Sequence, residues 1–144
     1  IQALLQFRDP LGDTLILQDL RGADEGKKLT AISLAGGSSS PDVREHLLAL
    51  VQDKSFSKQE VEKKKLAIRA LATMGDTKAL PALKAVLRSI SLFNAKKLAT
   101  VKLEIIRNLH SFPALETREI LHSFLNVRDH DLSAAARESI KKLK

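Results

Sequence analysis

Cysteine, tryptophan and tyrosine are all missing from these 144 residues. Without cysteine there is no disulfide scaffold and no thiolate metal or redox site. That fits a reducing compartment, and a cytoplasmic location is the expectation, although a cysteine-free secreted protein is physically just as acceptable. Five phenylalanines are the whole aromatic complement. The core must therefore rest on Leu, Ile, Val and Ala, which suits helix-on-helix packing better than a β-sandwich. No apolar run approaches the roughly 18–20 residues of a membrane span, and no signal-peptide pattern occurs at Ile1. A start on Ile, already inside an apolar segment, leads us to expect a piece of a longer protein.

What is present is ordinary for a globular chain: 44% apolar and 28% charged residues, which is too apolar for disorder. The length allows one domain whose core buries roughly two-thirds of the unfolded surface. The net charge is +7. A positive balance favours an anionic partner such as nucleic acid, acidic protein or lipid headgroups. The plainer reading is solvated lysine that keeps the surface polar.

Residues 57–87 organise the rest. Ser57 with Glu60 is a capping-box pattern. Val61, Ala67, Ile68, Leu71, Ala72 and Met74 then recur at three- and four-residue steps, one apolar face of a helix. Lys58, Glu62, Lys65, Arg69 and Thr73 form the opposite stripe. Gly75 is a left-handed stop, Asp76 a cap for the next helix, and Pro81 falls in the first turn of that helix. Leu80, Leu83, Val86, Leu87 and Ile90 make its apolar stripe. So short a turn predicts antiparallel helices.

Along the chain, residues 1–7 read as the end of a helix, broken over 8–13 by Pro10 and Gly12. A short helix to Gly22 is expected next, with Leu15, Ile16 and Leu17 as an alternative scrap of strand. Asp24 caps a helix that reaches Ala35. Residues 36–41 read as a mobile connection, with Ser40 as N-cap and Pro41 at the first helical position; they lack the spacing of a phosphate loop. The helix that follows buries Val43, Leu47, Leu50 and Val51. After the hairpin, residues 91–97 connect to a helix carrying Leu98, Val101, Ile105, Ile106 and Leu109. Its partner carries Leu115, Ile120, Leu121, Phe124 and Leu125, and a last, capped helix runs from Asp131 to Leu143.

Shifting the sequence by 38 positions places Ile68 on Ile106, Arg69 on Arg107, Leu71 on Leu109, Leu83 on Leu121 and Leu87 on Leu125. A backward shift of 36 places Leu83 on Leu47 and Leu87 on Val51. Three such hairpins predict one repeat domain, because a single amphipathic hairpin cannot bury both its faces. The expected repeats are about 24–54, 57–90 and 95–126, with a partial one over 131–144 and a truncated one before residue 24.

The run Ala67-Ile68-Arg69-Ala70-Leu71-Ala72-Thr73-Met74-Gly75-Asp76, followed by Ala79-Leu80-Pro81-Ala82-Leu83, resembles a HEAT repeat of the phycobilisome-lyase-like class. Asp131 with Arg137 resembles the Asp and Arg that ladder between neighbouring HEAT repeats. The resemblance implies an all-α superhelix of three to four antiparallel helix pairs, a right-handed pile that most often serves as a binding scaffold. It does not imply lyase activity, since likeness of fold carries no chemistry.

No catalytic constellation stands out, so neither an enzyme nor a cofactor is expected. His46, His110, His122 and His130 lack the spacing of adjacent metal ligands, and no metal site is assigned. Glu60, Glu62, Glu104, Glu116 and Glu119 lie beside cations at helical spacing, where exposed ion pairs are the default. The basic residues are the remaining signal. Lys63, Lys64, Lys65 and Arg69 on one helix, with Lys96, Lys97, Lys102 and Arg107 on the next, predict cations in register about 10 Å apart. Lys65, Arg69, Lys102 and Arg107 are therefore the candidate partner-binding residues. A protein partner is the leading expectation. The alternative is nucleic acid, since HEAT-like DNA glycosylases bind DNA on such a surface. Against it, base stacking would fall to the five phenylalanines, most of which sit at core positions.

Overall fold

The structure, a computed structural model, describes residues 10–143; the expected helix end over residues 1–7 lies outside them. Eight helices follow one another: α1 (Pro10–Arg21), α2 (Glu25–Leu34), α3 (Pro41–Gln52), α4 (Lys58–Met74), α5 (Leu80–Arg88), α6 (Ala95–Asn108), α7 (Ala114–His122) and α8 (His130–Lys141). Short 3₁₀ turns lead from α2, α4 and α6 toward the next helix, at Ala35–Gly37, Thr77–Ala79 and Leu109–Ser111. No strand occurs among the described residues. Leu15, Ile16 and Leu17 are helical, and the break expected over 8–13 is absent from Pro10 onward, where proline opens α1 instead.

Local chemistry accounts for most of the boundaries. Asp24 accepts the Lys27 amide, Ser40 the Val43 amide and Ser57 the Glu60 amide. Only half of the capping box forms, since the Glu60 carboxylate turns to Lys63 at 3.1 Å. Gly75 ends α4 with φ of 64°, a conformation that costs a side-chain-bearing residue about 1–2 kcal/mol. The last helix starts at His130, one residue before the expected Asp131, and is capped by Asp129, which accepts the amides of Asp131 and Leu132.

The helices pack in two layers. One holds α2, α4, α6 and α8 in succession, and the other holds α1, α3 and α5, with α7 against α8. Across the layers α1 meets α2, α3 meets α4 and α5 meets α6. Thus α4 leans on α2, α3 and α6 more than on α5, to which the tight turn joins it. The core between the layers is aliphatic, with Ile16, Ile32, Leu47, Ile68, Leu71, Ile105, Ile106 and Leu121 each 0–1% exposed.

Three expectations are corrected. Residues 36–40 are fastened rather than loose. The Ser38 hydroxyl donates to Asp13 at 2.5 Å and accepts the Ser40 amide at 3.0 Å, and Gly36 lies against Thr73. Ile90 is 88% exposed, because α5 ends at Arg88 before its stripe reaches that residue. Leu115, in the first turn of α7, is 90% exposed. Phe93, in the connection expected over 91–97, is 95% exposed.

Candidate functional site

The candidate cations sit on α4 and α6, two neighbours in one layer. Helical spacing places Lys65 and Arg69 on the polar stripe of α4, where Lys65 is half-buried and Arg69 exposed. Lys65 pairs with Glu62 at 3.7 Å. Arg69 reaches across to α6 and donates through Nε to Glu104 Oε1 at 2.7 Å. Glu104 is only 6% exposed and also accepts from Asn108 Nδ2 at 3.2 Å. It was expected as an exposed partner, but α4 covers it. The Glu104 carboxylate, acting against burial, raises the Arg69 guanidinium above its ordinary value.

Lys102 behaves differently. Its ammonium turns inward and donates to the Ser89 carbonyl at 2.6 Å, just beyond the end of α5. Burial pushes its pKa down. Arg107 is exposed and has no hydrogen-bond or ion-pair partner among the described residues. Of the four candidates, three hold an intramolecular partner and one faces water alone.

The two lysines before Lys65 are not surface charge at all. Lys63 is 7% exposed and bridges Glu25 of α2, at 2.6 Å, to Glu60 of its own helix, at 3.1 Å. Lys64 is completely buried. Its Nζ donates to the carbonyls of Leu50, at 2.9 Å, and Val51, at 3.5 Å, and also to that of Asp53. The Phe56 ring lies beneath it, 5.3 Å from the centroid. Burial pushes the Lys64 ammonium below the usual lysine range, with Asp53 and Glu60 opposing. These carbonyls end α3, where a helix lacks internal donors and carries partial negative charge, so a cation there is stabilising.

Lys102 lies 38 positions after Lys64 and does the same for α5. In the last pair Ser133 takes the role, donating to the Leu125 carbonyl at 2.6 Å. The 38-residue shift pointed to this equivalence, but a lysine on a helix reads as solvated until its neighbour is placed.

A second cross-link joins α3 to the turn after α4. Arg44, 9% exposed, donates through Nη1 to Asp76 Oδ2 at 2.6 Å and through Nε and Nη2 to Glu45 at 3.2 Å. This is the kind of Asp–Arg pairing expected of Asp131 and Arg137, which are exposed and make no such pair among the described residues. The Lys78 amide, and after it Arg44, hold the Asp76 carboxyl below the ordinary aspartate value. Stability from this group is present above that ordinary value, about 3.9. It is lost as pH falls through the lowered folded value. Asp76→Asn keeps a capping oxygen but removes the charge. We expect its urea midpoint to fall less steeply between about pH 5 and pH 2 than that of the parent chain.

The histidines do not converge. His122 and His130 are exposed, and His46 is half-buried. Burial, then Arg21 and Lys28, push the His46 imidazole below its ordinary value. His110 keeps a buried Nδ1 without a hydrogen-bond partner. Among the described residues no three His, Asp or Glu side chains gather as a metal site would require. No described helix is long and apolar enough to cross a membrane.

Helices stacked in neighbouring pairs, without strands, define an all-α HEAT-like solenoid. Residues 65–89, the second half of α4 and all of α5, match the family model of the PBS lyase HEAT-like repeat. That match supports a HEAT-like repeat in this part of the chain. No curated protein matches it significantly.

Proposed function

We propose that the chain is a non-catalytic helical-repeat scaffold that holds a protein partner on a curved, basic face. HEAT-like repeats are commonly helical-repeat scaffolds, which supports the coarser part of this reading. On this reading Arg107, Arg69 and Lys65 contact the partner, and Lys102 supports the surface from beneath by closing α5. One observation favours protein over nucleic acid: three of the four cations already satisfy partners within the chain. Tracking a phosphate backbone takes several cations free to release counterions. Of these four only Arg107 is free among the described residues, with Lys96 and Lys97 exposed at the start of the same helix.

A salt titration against generic duplex DNA tests the reading. No measurable binding is expected at about 50 mM salt. Micromolar binding with log K falling steeply against log salt would overturn it in favour of the nucleic-acid alternative.

A further inference from the structure

Between α5 and α6 the chain crosses the surface through residues 89–94. Three large apolar side chains stand in water there: Ile90, Leu92 and Phe93, at 88%, 89% and 95% exposed. The segment has a defined shape. Lys102 holds the Ser89 carbonyl at 2.6 Å, the Ser89 hydroxyl donates to Val86 at 2.6 Å, and Ser91 Oγ accepts the Asn94 amide at 3.0 Å. Beside it opens a cavity of about 300 Å³, walled by Val51, Phe56, Val86, Leu98 and Val101 and rimmed by Ile90. Apolar protrusions next to an apolar recess are an interaction surface.

The charge around it identifies the occupant. From residue 77 to residue 103 the chain has six cations, Lys78, Lys84, Arg88, Lys96, Lys97 and Lys102, and no carboxylate. Arg88, Lys96 and Lys97 flank the protrusion, are exposed, and pair with no carboxylate among the described residues. Asp53 is the one carboxylate lining the cavity, and its side chain accepts the Ser55 amide at 2.7 Å. A second copy of the chain would set these cations against their own kind. A bilayer would take the protrusion and leave the recess beside it unmatched. We propose that residues 89–94 and the adjoining cavity form the anchor for an acidic, amphipathic helix of a partner protein. Its apolar side chains fill the recess and pack on Leu92 and Phe93, and its carboxylates meet Arg88, Lys96 and Lys97. This deepens the scaffold reading and rests on it.

The test uses the ¹⁵N-labelled chain and a synthetic helix of about four turns, with leucines on one face and glutamates on the other. Shift changes are expected around residues 86–98, with affinity falling about tenfold or more in Leu92→Ser/Phe93→Ser. Both positions are exposed, and an unchanged circular dichroism spectrum checks the fold. A lysine-for-glutamate version of the peptide is expected not to bind. Equal binding of that version, or no shift with the glutamate peptide, overturns the proposal. Shifts centred on Lys65, Arg69 and Arg107 overturn this surface while leaving the scaffold reading standing. Capture by phosphatidylserine vesicles that depends on Leu92 and Phe93 makes the occupant a membrane and also overturns it. The DNA titration tests the scaffold reading separately.

Discussion

Lys64→Ala is expected to remove about 3–4 kcal/mol of folding stability, the largest single loss of the substitutions considered. Three carbonyls at the end of α3 converge on the buried ammonium. Truncation leaves them without the ammonium that satisfies them. It also removes a buried four-carbon stem and the ammonium that stands over the Phe56 ring. Lys64→Met separates these two losses. Methionine refills the volume and removes the cost of burying a charge, so only the unmade hydrogen bonds remain, about 1–2 kcal/mol. Urea denaturation of both variants, beside Lys65→Ala, decides the matter. If all three fall within about 0.5 kcal/mol of the parent, as ordinary surface changes do, then Lys64 does not close α3.

Gly36→Ala is expected to cost about 2 kcal/mol, although alanine in place of glycine usually stabilises by shrinking the unfolded ensemble. A Cβ at position 36 would stand 2.8 Å from Thr73 Cβ and 3.0 Å from its Cγ2. Neither atom is the free end of a flexible side chain, so the 3₁₀ turn and α4 must move apart. Thr73→Ala relieves the Cγ2 contact and leaves the Cβ contact. A double-mutant cycle is therefore expected to return a coupling of roughly 0.5–1 kcal/mol with incomplete rescue. A stabilised Gly36→Ala, or zero coupling, would mean that the turn does not press on α4.

These two residues also mark where sequence reasoning stops. Caps are local, so Ser40, Ser57, Asp24 and Gly75 were legible from their immediate neighbours. The aliphatic stripes were legible too, because their period is that of the helix. What could not be read was anything decided across the gap between helices. Lys63, Lys64 and Lys102 look like solvated charge until α2, α3 and α5 bring them carboxylates and carbonyls. Ser38 reaches Asp13 across 25 residues. Ile90 and Leu115 fail the other way, since an apolar residue reads as core even where its helix has ended or begun too soon. Within the candidate site, the positions of Arg69 and Arg107 followed from the repeat. The closure of Arg69 by Glu104 did not, because position 104 aligns with Leu66 and the pairing has no counterpart in the preceding repeat.

The closure of α3 by Lys64, of α5 by Lys102 and of the segment after α7 by Ser133 gives the chain a direction in time. On a ribosome, residues 41–52 emerge well before residue 64, and residues 80–88 before residue 102. Each helix of that layer must wait, its final carbonyls held by water, until the next one delivers the donor. The increment of growth is therefore the pair formed with the following helix, out of step with the hairpin that the sequence repeat outlines.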